Sequence, residues 1–208
     1  LITTPDFDLD AELKIFRFIV NRATNYHFLF DENNMDVIRN LLHYFNNSPE
    51  GDMDPTKGIC LMGPIGSGKS ELMRIFKWYC NIRMLRMYRI LSSEELRIKY
   101  QIEGGKVIQI WGMGYTSEGT IIDKADLCID EFGLEETSRH YGDQEQVISS
   151  ILFLRYDLFR CKGSKTHITT NLNKTLIEKN NEGRLASRFN EMFNFVKLSG
   201  PDRRKIIK

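Results

Sequence analysis

The sequence predicts an α/β fold with a central parallel sheet of five strands flanked by helices, and three observations carry that prediction. Five short apolar runs alternate with stretches whose apolar residues recur at helical spacing, which is the rhythm of βαβ units. Between the first run, Ile59-Cys60-Leu61-Met62, and a helical pattern from Glu71 to about Asn81 stands Gly63-Pro64-Ile65-Gly66-Ser67-Gly68-Lys69-Ser70. It satisfies G-x-x-x-x-G-K-[S/T] in the strand–loop–helix context that the motif requires. A third apolar run, Ala125 to Ile129, ends on the carboxylate pair Asp130-Glu131.

The elements follow in order. Residues 1–10 are polar and acidic with one proline and form an extended lead-in. Leu13, Phe16, Ile19 and Val20 predict a helix from Ala11 to about Asn21, and Val37, Ile38, Leu41 and Leu42 a second from Asp36 to Phe45. Asn46 to Lys57 collects turn formers and two prolines, so a loop precedes the first core strand. Residues 1–50 therefore read as an N-terminal extension and 51–208 as the main domain. Met87 to Leu91 predicts the second strand, and Ser92-Ser93-Glu94-Glu95 has the form of an N-cap opening a helix through about Gln101. Residues 104–120, with five glycines and no clear period, read as a partly structured insertion. After the Asp130 strand come a helix from Gln144 to Phe159 closed by Lys162-Gly163, a β-branched strand Thr166 to Asn171, a helix opened by Arg184 to Phe189, and a last strand Phe193 to Leu198.

Composition narrows the function. At 208 residues with 41% apolar content, the chain is long enough for one sizeable core. No apolar run approaches the ~20 residues of a membrane span. The sequence opens on Leu1 with no signal-peptide pattern, so we expect residues upstream of it and a cytoplasmic protein. Cys60, Cys80, Cys128 and Cys161 show no metal-ligand spacing and read as reduced core thiols. His27, His43, His140 and His167 are scattered. The net charge is +1, but it is unevenly spread: residues 1–56 hold 4 basic and 10 acidic groups, 57–106 hold 10 and 4, 107–146 hold 2 and 9, and 147–208 hold 13 and 5. Such blocks suit complementary faces between identical subunits, a basic strip facing a phosphate backbone, or solvated helix faces alone.

The glycine loop and the carboxylate pair define one chemistry. Glycines let successive N–H groups and a helix N-terminus surround a β-phosphate. Lys69 would reach the β and γ phosphates of ATP and Ser70 would ligate Mg2+. Asp130 would hold that Mg2+ through water, and Glu131 would orient and deprotonate an attacking water. Glu135, Glu136, Asp143 and Glu145 lack an apolar lead-in and read as solvated charges.

With these motifs, the strand end Thr169-Thr170-Asn171-Leu172-Asn173 and the segment Leu185-Ala186-Ser187-Arg188-Phe189 in register, the chain resembles AAA+ ATPases of the DnaC/DnaI helicase-loader and IstB group over roughly residues 50–205. The resemblance implies that Asn171 is the sensor-1 residue and that Arg188, with Arg184 as a second candidate, acts in trans on the ATP of a neighbouring subunit. Gly200-Pro201-Asp202-Arg203-Arg204 matches the closing G-x-x-x-R pattern and implies a sensor-2-like Arg204, with Arg203 adjacent. Few residues follow the last strand, so no C-terminal helical lid is expected. The implied function is a Mg2+-dependent ATPase switch, a homo-oligomer in its ATP state, acting on a replicative helicase and single-stranded DNA. A transposase-helper role of the IstB kind is the alternative, and a P-loop small-molecule kinase or a module that uses ATP only to fix its shape are further ones. DNA contact would draw on the two basic blocks with Tyr88, Tyr100 and Trp111 nearby in sequence.

Overall fold

The computed structural model describes residues 7–23, 28–114, 126–133, 142–180 and 184–205. The chain divides into two compact units that interleave along the sequence: residues 1–55, 64–87 and 197–208 form one, and residues 56–63 and 88–196 the other.

The first unit is helical. α1 (Leu9–Ala23), α2 (Met35–Phe45) and α3 (Lys69–Ile82) each bury one apolar stripe, as the periodicity predicts. Their stripes meet in an aromatic cluster, with Phe16 of α1 4.7 Å from Phe76 of α3 and Phe45 of α2 stacked at 5.0 Å on the same ring. Burying each such ring stabilises by about 1.5–3 kcal/mol. Glu12 is buried beside them because it is paired: its carboxylate accepts from Tyr79 Oη at 2.5 Å and from Arg83 at 2.5 Å, and Asn46 Nδ2 donates to Tyr79 Oη at 2.7 Å. A lone carboxylate there would be strongly unfavourable.

The second unit is the sheet and its helices. β1 (Gly58–Met62), β2 (Tyr88–Ser92), β3 (Asp126–Phe132), β4 (Thr166–Thr170) and β5 (Phe193–Lys197) lie in the order β2-β3-β4-β1-β5. Pairing is parallel between β2 and β3, β3 and β4, and β4 and β1. Register sets Ser92 beside Asp130, and Phe132 and Met62 both beside Thr170. The C-terminal ends of β1, β3 and β4 thus share one edge, where open parallel sheets bind ligands. At the other edge Gly58 must be glycine, since a Cβ there would lie 1.6 Å from the Thr166 carbonyl oxygen. His167, buried within β4, accepts the Ile59 N–H on Nδ1 at 3.1 Å.

α4 (Ser93–Glu103) begins where the sequence expects, with Ser92 Oγ accepting the Glu95 N–H at 3.0 Å. The glycine-rich insertion is partly structured, as the sequence reads: α5 (Lys106–Ile108) continues into a π-helical turn, Gln109–Met113. Residues 115–120 lie outside the described residues. α6 (Gly142–Lys162) anchors that turn. Its buried Arg155 donates to Trp111 O at 3.2 Å, Lys165 O at 2.9 Å and Thr166 Oγ1 at 2.6 Å. α7 (Lys174–Asn180), which periodicity misses, is capped by Asn173 Oδ1 accepting the Leu176 N–H at 2.8 Å. α8 (Arg184–Met192) leads into β5, after which the described residues hold only a 3-10 turn, Arg203–Lys205. Cys60, Cys80 and Cys128 are buried free thiols, whereas Cys161 is exposed. Among the described residues no helix is long and apolar enough to cross a membrane.

Candidate functional site

The glycine loop leaves β1 at Gly63, whose N–H donates to Thr170 O at 3.1 Å. Gly66 and Gly68 take φ of +78° and +96°, a region open to glycine but costly for other residues. Gly66 has a second reason to lack a side chain: a Cβ would sit 1.9 Å from Asp202 Oδ1. Lys69 is the first residue of α3, and its N-cap, Gly68, supplies no side-chain acceptor to the first turn. The N–H groups and positive dipole end of α3 are therefore available to an anion. Lys69 is buried and its ammonium donates to Pro64 O at 2.9 Å.

Ser67 decides whether a phosphate fits this loop. The residue is 1% exposed, yet its Oγ has no hydrogen-bond partner. A buried hydroxyl left unpaired costs about 1–3 kcal/mol, and a phosphate oxygen is the acceptor that such a glycine-rich loop is built to place there. The donor set, one ammonium, one helix N-terminus and an orphaned hydroxyl, suits a polyphosphate.

The carboxylate pair lies within the second unit. β3 runs through Asp130-Glu131 to Phe132, one residue past the carboxylate pair that ends the strand in the sequence, and its register to β4 shifts between Ile129 and Phe132. Glu131 sits in that bulge with φ +62°, a strained conformation for a residue with a Cβ. Thr169, fully buried on β4, supports the Asp130 carboxylate and the Glu131 backbone: its Oγ1 accepts the Glu131 N–H at 2.9 Å and donates to Asp130 Oδ1 at 2.5 Å. Asp130 is 3% exposed and Glu131 is exposed, so the strained residue is the one presented outward. Asn171 follows directly in a turn shaped by Thr170, whose Oγ1 donates to Phe132 O at 2.7 Å and accepts the Leu172 N–H at 3.0 Å.

The arginines fall differently. Arg188 of α8 is partly exposed, with its guanidinium 4.7 Å from the Phe153 ring and 4.6 Å from the Tyr156 ring of α6. Arg184 opens the same helix. In the C-terminal turn Arg204 is exposed and donates its backbone N–H to Asp202 Oδ1 at 3.2 Å, while the neighbouring Arg203 is buried and bonded to the glycine loop. Sequence reasoning misses Thr169 and the contact made by Arg203. The paired threonines before Asn171 are the only local trace of the first. Glu135 and Glu136 lie outside the described residues, and Asp143 and Glu145 fall in the first turn of α6. No group of three His, Cys, Asp or Glu side chains able to hold a metal occurs among the described residues.

Solved structures share this fold. The DnaC helicase loader is similar over 82% of this chain and 93% of its own, with a TM-score of 0.54 and 17% identity. The chain has the DnaC and DnaI fold. DnaI is similar over 85% of this chain and 87% of its own, with a TM-score of 0.56 and 20% identity. A structure of the replication initiator DnaA bound to AMPPCP and single-stranded DNA matches 98% of this chain and 53% of its own, with a TM-score of 0.54 and 15% identity. No protein-family model and no curated protein sequence matches the chain. At these identities the likeness speaks for the fold alone, a five-stranded α/β fold of the kind the sequence predicts.

Proposed function

We propose that the chain is an AAA+ switch that binds and hydrolyses ATP with Mg2+, and that it acts in the manner of a helicase loader on a DNA-bound protein partner and single-stranded DNA. The observation that carries this reading is the G-x-x-x-x-G-K-S loop between β1 and α3, with its left-handed glycines and the unpartnered Ser67 Oγ. Lys69 neutralises the β and γ phosphates, and Ser70 and Asp130 are the residues assigned to Mg2+. Bound Mg2+ supplies charge to the phosphoryl oxygens. Glu131 is the base for the attacking water and Asn171 positions that water. The strained φ of Glu131 supports its role, since strain of this kind concentrates at functional sites.

Arg188, partly exposed on α8, is assigned to the ATP of a neighbouring subunit, where a guanidinium stabilises charge in the transition state. Partner and DNA are carried over from what the similar structures are named for: one is a helicase loader and another was determined with single-stranded DNA. Phosphate release from ATP, measured with and without single-stranded DNA, tests the reading. Lys69→Ala is expected to lose tight ATP binding, whereas Glu131→Gln keeps binding and loses turnover. Phosphate release by Glu131→Gln at the parental rate would remove Glu131 from the reaction.

A further inference from the structure

Arg203 is 7% exposed, and the structure accounts for its hydrogen-bonding groups one by one. Its backbone N–H donates to Gly66 O at 3.0 Å and its Nε to Ser67 O at 3.1 Å. Nη1 donates to Leu29 O at 3.0 Å and lies 2.9 Å from Asp31 Oδ2, and Nη2 donates to Asp31 Oδ1 at 3.0 Å. Asp31 is itself fixed, with its Oδ1 accepting the N–H groups of Asn33 at 2.9 Å and Asn34 at 3.2 Å just before α2. A guanidinium committed to four acceptor oxygens of its own chain has its planar fork aimed at protein, not at a ligand.

The contacts with Gly66 and Ser67 have a geometric consequence. In a planar trans peptide the C=O and the following N–H point in opposite directions. Turning the Ser67 carbonyl toward Arg203 therefore turns the N–H of Gly68 to the other side of the loop, while the Ser67 N–H closes the turn on Pro64 O at 3.3 Å. A loop whose carbonyls faced the phosphate would repel it. The approach is built in, because Gly66 carries no side chain where Asp202 passes.

We propose that Arg203 is a positioning residue for nucleotide: with Asp31 it forms a strut that holds the Gly66 and Ser67 carbonyls turned away and the Gly68 N–H presented, without itself touching phosphate. The strut rests on the nucleotide-binding reading above. It gives the sensor-2 position in this chain an inward, structural duty at Arg203 and leaves Arg204 exposed.

The test uses the full chain with Asp31→Asn and Arg203→Lys. Asparagine keeps the volume and removes the charge, and lysine keeps the charge and loses the fork. Calorimetric titration with ADP, ATP and inorganic pyrophosphate is combined with hydrogen exchange of the amides of residues 64–70 in the ligand-free proteins. In both variants affinity for ADP and ATP is expected to fall alike, by about ten- to hundredfold, the scale on which outer-shell partners tune metal sites. Exchange of the loop amides is expected to speed up. A loss confined to ATP, with Asp31→Asn behaving as wild type, would overturn the strut in favour of a direct phosphate contact. Unchanged ADP affinity and unchanged exchange, with only a lowered melting temperature, would reduce Arg203 to a general stabiliser. If the wild-type chain bound no nucleotide, the function proposed above would fail, and the exchange measurement would still decide the strut.

Discussion

Thr169→Val removes one hydroxyl and changes little else, and the structure sets its cost. Thr169 Oγ1 serves Asp130 Oδ1 and the Glu131 N–H at once in a fully buried position. A hydrogen bond to a charged group contributes about 1.5–3 kcal/mol and one to a backbone amide about 0.5–1.5 kcal/mol, while the added methyl returns about 0.8 kcal/mol. The net loss is about 1–4 kcal/mol. For a chain of 208 residues, each kcal/mol lowers Tm by roughly 2–4 °C, so thermal unfolding followed by circular dichroism should shift by about 2–15 °C. Relaxation of Glu131 from its left-handed backbone should also lower the kcat of phosphate release by at least about tenfold, as for a displaced general base, with the KM for ATP nearly unchanged. Thr169→Ser, which restores the hydroxyl, should recover most of the turnover. A Thr169→Val protein melting within about 1 °C of wild type and turning over at its rate would refute the view that Thr169 holds the Asp130 carboxylate and the Glu131 backbone, because no partner would then have been lost.

Other substitutions and conditions probe the remaining assignments. Gly66→Ala should abolish tight nucleotide binding in a fluorescent ADP titration, since both its φ of +78° and the proximity of Asp202 forbid a Cβ. Arg188→Ala should bind nucleotide nearly as wild type yet lose assembly-dependent hydrolysis, and mixing it with Lys69→Ala should restore part of the phosphate release through mixed interfaces. Burial, followed by the hydrogen bond to Glu12, pushes the Tyr79 phenol above its ordinary value. The folded state therefore keeps a proton that the unfolded state gives up, and the associated stability is complete below about pH 10 and lost as pH rises beyond it, by at most about 1.4 kcal/mol per pH unit. Urea unfolding across that range should show the decline, and Tyr79→Phe should flatten it. For DNA, anisotropy of a fluorescent single-stranded oligonucleotide with a non-hydrolysable ATP analogue should show binding that weakens steeply with salt.

Much of this architecture is legible in local sequence because its causes are local. The stripes of α1, α2 and α3, the Ser92 cap and the β-branched β4 follow from periodicity and capping chemistry within a few residues. What is not legible is decided by partners far along the chain. The apolar run shows where the carboxylate pair ends the strand, but the bulge that sets Glu131 at φ +62° is held by Thr169, 38 positions on. The glycines of the insertion hide a helical turn because Gly112 packs against Leu154 and Arg155 holds Trp111 O. Seven residues of α7 are too few for a period to emerge, although its Asn173 cap is in plain sight. Between Arg203 and Arg204, the choice of which turns inward is made by Asp31, 172 positions earlier.

The interleaving of the two units bears on the order of synthesis. A chain made from its N-terminus emerges with the whole glycine loop early, followed by the entire stretch from 88 to 196, and only then by residues 197–208, which complete the loop's own unit. The hydrogen bonds on the Gly66 and Ser67 carbonyls span 137 and 136 positions and form only once Arg203 has left the ribosome. Contacts of such long range are slow to close. The glycine loop is thus synthesised well before the residue that holds its shape, and residues 88–196 fold without that support in place.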